Sequence, residues 1–562
     1  RSAAPPPSPK IESIVTSEEK TGPADHRPAD PRVVHEAKRR VIDEAKRRRT
    51  IAIISHPDAG KSTLTESLLL NAHAVSEAGA VHGKSTRRST VSDWMEMEKA
   101  RGISISSAAI QFIVEDVVVT VVDTPGHADF SEDTYRVLSA VDTAVMLIDA
   151  SKGMEAQTLR LFEVCRNRGI PIIVMVNKWD RPGRDPLDLL DELQRVTSRQ
   201  PMPLNWPVGE AGRFLGLRGV VSGELLTFEH VDGNAHLPRI QLHPATDAAG
   251  MLGGDWQTAV EEAQLVELDG GEFRAEAFAD LTGMPVFFGA AVRNVGVEQL
   301  LRFVCRAAPS ATPRVNVNGM PRPVDAPFSA QIFKVQANMD PAHRDRVAFM
   351  RICSGIFTRG MSVVHAQTGR PFATKYALQM FGRERDTVDT AWPGDIVGLV
   401  NATHLRPGDT LYSEDRVEFE GIPSFTPELF ALASPVDVST AKKFRKGITA
   451  LTEEGVVQLL DSEKRGPQNP VLGAVGAMQF EVLSGRMASE FGVEIRLTDL
   501  PYTVARLVNA DTAAALASRR DCEIVMRKTQ RLALFRTEWQ LRSLEKDIPG
   551  LALDADRVVV GR

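Results

Sequence analysis

Very little in this sequence points to a metal cage, a disulfide scaffold or a membrane span. Its 562 residues include only four cysteines, Cys165, Cys305, Cys353 and Cys522, far apart and in no CxxC or Cys/His pairing. Neither a structural zinc site nor a disulfide framework is expected, and a reducing cytoplasm fits. The longest apolar runs, at 117–122 and 170–176, are far too short to cross a bilayer as a helix. No apolar signal-peptide core is readable, so no membrane partner is expected. Net charge is only −6, so the chain as a whole is no polycation, and any nucleic-acid contact has to come from local patches. What remains is ordinary globular composition, 43% hydrophobic and 25% charged. That excludes collagen and a wholly disordered chain. The length suggests roughly three or four domains.

The pattern changes along the chain. Residues 1–31 hold seven prolines and almost no large apolar residues, which predicts disorder. Residues 32–49 carry eight Lys/Arg against three Asp/Glu, in two near-copies, VVHEAKRR and VIDEAKRR. Glu36 with Arg40 and Glu44 with Arg48 are i,i+4 pairs, which suits a solvated helix. A charged lead-in helix is the plainer reading of this segment, and an RNA or ribosome contact the functional one. Together 1–45 reads as a disordered, basic N-terminal extension. From Thr50 apolar strands alternate with helical stretches, the signature of a mostly parallel sheet. One α/β domain is expected over 46–310, with an insert subdomain at about 201–278 whose 230–255 part is looped. Short strands between Gly/Pro turns predict a β-barrel at 325–425. Mixed elements then predict a C-terminal α+β domain at 430–562, with helices at 441–454 and 478–491.

Three motifs carry chemistry. The first is Ser55-His56-Pro57-Asp58-Ala59-Gly60-Lys61-Ser62, between a strand and a helix. Backbone N–H groups there can wrap phosphates at a helix N-terminus. Lys61 would reach the β- and γ-phosphates, and the Ser62 hydroxyl would bind Mg2+. Ser55 stands where the general pattern has glycine. The second is Asp123-Thr124-Pro125-Gly126, after the strand VVVTVV. Asp123 would hold Mg2+ through water, and the Gly126 N–H would sense the γ-phosphate. The third is Asn177-Lys178-Trp179-Asp180, ending another strand. The Asp180 carboxylate can accept two N–H bonds from guanine, which adenine cannot offer. Asn177 would tie the loops together and the Lys178 stem would stack on the base. The phosphate loop is the strongest of the three signals, and NKWD alone would read as a polar turn. Three in this order, each at a strand end, read as a GTP/GDP site.

Further residues fit that frame. Ser104 lies where a switch segment belongs and would give a second hydroxyl to Mg2+. His127, directly after the γ-phosphate sensor, is placed to orient the attacking water. Arg101 reads better as a surface or partner-binding arginine than as a cis cation, so fast turnover should need an external activator. Ala290 and Ala291, in FGAA, would close the guanine pocket through backbone N–H groups.

These residues carry a likeness. SHPDAGKS, SDWMEMEKARGISI (92–105), DTPGHADFSEDTYR (123–136) and NKWD resemble the translational GTPases. Within them, KVQANMDPAHRDRVAFMR (334–351), WPGDI (392–396) and FTPELF (425–430) are similar to the bacterial class II peptide chain release factors. The likeness runs from about 41 to at least 500, and residues 1–40 have no counterpart in it. Ser55 and Ser104 fall inside it, where most translational GTPases carry Gly and Thr. Ala290 departs from the usual Ser/Thr, which would weaken the guanine pocket slightly. The resemblance implies a P-loop GTPase domain, an elongation-factor-like β-barrel and a third α+β domain in a cytoplasmic monomer. It implies ribosome-stimulated GTP hydrolysis that detaches class I release factors after peptide release. The ribosome, with its RNA and proteins, and those factors would be the partners.

Three rivals share part of the pattern. A translocase-like or ribosomal-protection-type factor needs further domains, and the residues after Pro427 leave room for one. A metabolic regulatory GTPase subunit should lack the mixed unit at 441–498. A module that holds GTP without hydrolysing it is at odds with His127.

Overall fold

A computed structural model describes residues 31–72, 109–125, 131–229, 237–337, 346–381, 384–400, 402–422, 425–466, 469–517, 519, 521–547 and 553–554. The readings for residues 1–30, Arg101, Ser104, Gly126 and His127 lie outside the described residues. The basic segment forms a helix, Pro31–Lys46, which runs into β1 (Arg48–Ser55).

The nucleotide-domain strands follow as β2 (Ala109–Val114), β3 (Val117–Asp123), β4 (Thr143–Asp149), β5 (Ile172–Asn177) and β6 (Gln200–Pro203). Next come β7 (Asn205–Val208), β8 (Gly216–Gly219), β9 (Leu225–Glu229), β10 (Arg239–His243) and β11 (Gly283–Phe288). The main sheet runs β2-β3-β1-β4-β5-β11-β6. Its pairs are parallel except the β2/β3 hairpin at the edge. Strands β4, β5 and β11 are buried throughout, because both sheet faces are covered and their residues form near-continuous apolar runs rather than alternating. Parallel strands share one carboxyl edge. The ends of β1, β3, β5 and β11 therefore bring Ser55, Asp123, Asn177 and Phe288 to one rim, where an open α/β sheet binds its ligand.

The insert is a second sheet, β10-β9-β8-β7, backed by the helix Gly254–Leu268. Trp206 is fully buried against it and donates from Nε1 to Glu262 Oε2 at 2.9 Å. Asn205 staples the insert to the rim: its Nδ2 donates to Phe288 O at 3.1 Å and its Oδ1 accepts from Phe288 N at 2.7 Å. The loop expected at 230–255 is corrected in part. Strand β10 and the helix Ala245–Leu252 occupy it. The density of Gly and Asp suggests a loop, but Pro244 at the helix N-cap and the buried Ala248 organise it.

Strands from Ser329 to Tyr412 form an eight-stranded antiparallel, barrel-like sheet with its own core around Phe328, Ile332, Met350 and Leu411. Beyond it lie two four-stranded sheets. One, with strands from Leu429–Pro435 to Ile495–Asp499, packs the helices Ala441–Glu454 and Ala477–Phe491. The other spans Val504–Val508 to Leu553–Asp554. Phe430, Leu460, Val471, Tyr502, Val525 and Leu532 form a core common to both sheets. The single α+β unit read from sequence is thus a pair of sheets fused by one apolar seam.

The units are locked to one another by buried charge. Arg351, on a barrel strand, is 2% exposed and makes a two-pronged contact with Asp142 at 2.7 and 2.8 Å, with a further bond to Ala140 O. Arg48 donates from Nε to Asp395 Oδ1 at 2.8 Å, and Thr50 Oγ1 to Gly394 O at 2.7 Å. The helix Ser131–Leu138 touches both partners. Lys334 of the barrel reaches Asp133 Oδ2 at 3.3 Å. Arg136 donates from Nη1 to Glu454 O at 2.8 Å and from Nη2 to Glu132 Oε1 at 2.8 Å. Removing one partner of a buried pair strands the other charge, which costs about 3–5 kcal/mol. Asp142→Ala, which leaves Arg351 unpaired, should lower the thermal midpoint by several degrees. A midpoint within a degree of the parent, read by calorimetry, would show that this pair does not hold the barrel to the nucleotide domain.

Candidate nucleotide site

The site is assembled from the strand ends. After β1 the chain turns tightly into the helix Lys61–Asn71. Asp58 (φ 63°) and Gly60 (φ 100°) take left-handed conformations, the kind of backbone that points successive N–H groups inward to receive an anion. Gly60 is required twice over. Its φ suits glycine, and a Cβ there would lie 2.6 Å from Asn177 Nδ2. Ser55 and Ala59 are buried. Lys61 is buried too, at the start of the helix, with Ser62 beside it and half-buried.

His56 is 2% exposed, with Nδ1 2.6 Å from Glu155 Oε2. Burial pushes its pKa below the usual histidine value, and the Glu155 charge opposes that. We read a neutral ring whose Nδ1–H donates to the carboxylate. Glu155 is not legible from sequence, because it sits in a different segment with no motif around it.

Asn177 is the tie between loops. Its Nδ2 donates to Ala59 O at 2.7 Å, and its Oδ1 accepts from Ala291 N at 2.8 Å. Ser67 Oγ, from the phosphate-loop helix, donates to Ala291 O at 2.7 Å. One amide therefore fixes three segments brought from distant parts of the chain. Lys178 has φ 68° and places Nζ 2.8 Å from Asp149 Oδ2 at the end of β4. Burial works against the Asp149 charge, but hydrogen bonds from Lys178 and Ser151 hold its pKa down to about 2. Sequence reasoning misses Asp149. Its one signal is its place at the carboxyl end of a buried strand next to the one ending in NKWD.

Asp180 keeps a largely buried side chain, with Oδ2 3.7 Å from Arg293 Nε. Its Oδ1 is buried and has no hydrogen-bond partner among the described residues. Asp123 is also buried, and its Oδ1 accepts from Thr124 N at 2.9 Å. Thr124 Oγ1 donates to Ile53 O at 2.6 Å, pinning the start of the loop through Pro125 against β1.

One expectation, a ligand contact by the Trp179 side chain, is corrected here. Trp179 has no exposed surface and packs edge-on against Phe288, with ring centroids 5.2 Å apart. Its indole belongs to the core and offers nothing to a ligand. The N–H groups of Ala290 and Ala291 are engaged within the protein, with Val295 O at 3.1 Å and Asn177 Oδ1 at 2.8 Å. Ala291 holds Asn177, and Ala290 pairs with Val295.

The donors near Ser62 and Asp123 suit a hard cation, being one hydroxyl and one carboxylate with phosphate oxygens to complete the set. Among the described residues no group of three or more His, Cys, Asp and Glu could cage a metal by itself. An Mg2+ held mainly by nucleotide and water fits that donor set.

A sheet rim carrying this phosphate loop, an aspartate after β3 and NKWD after β5, followed by a barrel-like sheet, defines a translational GTPase. The comparisons with known proteins agree. Residues 46–310 match the elongation factor Tu GTP binding domain, 327–414 elongation factor G domain 2, and 419–545 the C-terminal domain of class II release factor RF3. The chain is 45% identical to a peptide chain release factor 3 of Symbiobacterium thermophilum, covering 91% of this chain and 97% of that one. It is 44% identical to one of Synechococcus elongatus, covering 93% and 95%. A crystal structure of a protein from Thermus thermophilus shares the fold, with TM-score 0.64 at 22% identity over 82% of this chain and 68% of that one. The chain belongs to the peptide chain release factor 3 family. It is a GTP hydrolase of translation termination.

The loop geometry gives a sharp test. Gly60→Ala forces both a clash with Asn177 and an unfavourable φ, so GTP and GDP affinity should fall at least tenfold while the fold holds. Asn177→Ala should weaken both nucleotides too, by releasing three segments at once. Isothermal titration reads both, and unchanged affinity in either variant would refute the assignment of this rim.

Proposed function

We propose that the chain binds GTP at this rim and, when stimulated by the ribosome, hydrolyses it to detach class I release factors after peptide release. The observation that supports the base site best is Asp180. A buried carboxylate oxygen without a donor is costly, and guanine N1–H and N2–H are the donors that would relieve it. Backbone N–H groups of 58–62 hold the phosphates, Lys61 neutralises them, and Ser62 and Asp123 hold Mg2+. Bound there, the ion would offset charge on the β- and γ-phosphates. In this reading Ser104 and Gly126 respond to the γ-phosphate, and His127 orients the attacking water. The protein works in the cytoplasm as a monomer. No helix among the described residues is long and apolar enough to cross a membrane.

The translocase-like reading is less well supported. Relatives of nearly the same length carry the release-factor name, and the C-terminal region matches a release-factor domain.

His127→Ala should retain nucleotide affinity and lose two or more orders of magnitude of ribosome-stimulated turnover. Near-parental turnover would remove its catalytic role. Asp180→Asn should shift preference from guanine toward xanthine nucleotides, and unaltered selectivity would reassign NKWD. With 70S ribosomes carrying a labelled class I factor, the parent protein and GTP should speed the label's departure. Stimulated hydrolysis without departure would favour the translocase-like reading.

A further inference from the structure

The helix Ala441–Glu454 has two ends with opposite chemistry. Its C-terminal end is tied inward. Glu453 pairs with Arg346 and Arg406 of the barrel, and Glu454 O accepts from Arg136 at 2.8 Å. Its first turns point outward. Lys442, Lys443, Arg445 and Lys446 line them, at the surface, and there is no acidic residue in the first turn. None of the four has a hydrogen bond or ion pair to another described residue. Asp437, just upstream, is spent on Ser439, accepting from its N at 2.9 Å and its Oγ at 2.7 Å. The inner face of the same stretch is ordinary core, Phe444, Gly447 and Ile448.

The arrangement does nothing for the helix. Cations at the positive end of a helix dipole are disfavoured, and four of them within five residues repel one another. In a chain of net charge −6 such a cluster marks a local field that attracts a polyanion. Lysines and arginines side by side, without aromatic neighbours on the outer face, suit a phosphate backbone rather than base edges.

We propose that the outer face formed by Lys442, Lys443, Arg445 and Lys446 docks on the phosphate backbone of ribosomal RNA. The inference rests on the ribosomal reading given above and names a contact within it. The helix is about 20 Å long at 1.5 Å per residue. It therefore joins that contact directly to Arg136, on the helix that follows the γ-phosphate loop. RNA contact at one end then bears mechanically on the nucleotide site at the other.

The test uses the full chain and purified 70S ribosomes, with the parent protein measured first. Failure of the parent to bind would overturn the ribosomal reading and this contact with it. Given parental binding, Lys442→Glu with Lys446→Glu should weaken ribosome affinity tenfold or more at ~0.1 M salt, and the slope of log affinity against log salt should fall by about two. GTP affinity and ribosome-free hydrolysis should not change, and the melting temperature should hold or rise. Parental affinity and slope in the variant would overturn the proposal, and so would a loss of affinity insensitive to salt, which would indicate a protein contact. A second probe leaves the charges intact. All four native cysteines are buried, so Thr449→Cys, at an exposed position on the same helix, can carry tethered iron-EDTA. Cleavage of ribosomal RNA from that position is expected, and its absence would refute the contact even if the charge variant misfolded.

Discussion

Arg136 is the residue on which the relation between nucleotide and domains depends. It sits on the helix that begins six residues after Pro125 and is only 8% exposed. One arm holds Glu132 on its own helix and the other a main-chain carbonyl of the C-terminal domain. The carbonyl belongs to the last residue of a helix, where backbone acceptors have no intrahelical partner. A guanidinium is therefore meeting a need that exists whatever the side chain at 454. The next residue confirms how close the approach is. Gly455 has φ 86°, and a Cβ on it would lie about 2 Å from the Arg136 nitrogens. A side chain there would be strained and would displace the guanidinium.

Around that contact the helix Ser131–Leu138 is fastened on several sides. Gln458 Nε2 donates to Glu132 Oε2 at 3.2 Å, Lys334 reaches Asp133, and Tyr135 packs edge-on against Phe425. Such contacts are largely buried and the polar ones charge-assisted, so they are costly to break singly and cheap only when exchanged together. A ligand shifts an equilibrium only by its differential affinity for the two states. If GTP and GDP position this helix differently, the cost or gain is felt at once in the barrel and the C-terminal sheets. The neighbouring Lys528 shows how crowded with positive charge the seam is. Burial lowers its pKa, and Arg136 pushes the same way.

What is readable in the sequence follows the range over which the residues act. The phosphate loop, DTPG and NKWD are contiguous, and each sits at a strand end that local apolar patterning reveals. The strands themselves are legible because a parallel sheet buries every position, leaving runs such as TAVMLID and IIVMVN without alternation. The partners that fix these motifs are not legible. Asp149 for Lys178, Glu155 for His56 and Glu454 for Arg136 come from separate segments, the last 318 residues away, and no motif marks them. The correction at Trp179 has a simple cause. A motif names a neighbourhood, but alternate residues in it face opposite ways, so Lys178 reaches outward while Trp179 enters the core. The helix at 245–252 is hidden for another reason: the Gly and Asp around it read as a loop, although it packs against the helix Gly254–Leu268.

The same logic explains why the alanines of FGAA are compatible with a working pocket. A hydroxyl at 290 would be a natural donor toward the NKWD loop, and alanine cannot supply it. The backbone contribution survives, because Ala291 N–H and Ala291 O are both engaged, with Asn177 and Ser67. Asp180 Oδ1 has no donor among the described residues, and Arg293 Nε lies 3.7 Å from its Oδ2. A carboxylate so placed is stabilised more by an incoming guanine than one already satisfied by a hydroxyl, since relieving a buried unpaired acceptor recovers about 1–3 kcal/mol. In the proposed reading Asp180 selects guanine, and Asn177 holds the loops around it through Ala59 and Ala291.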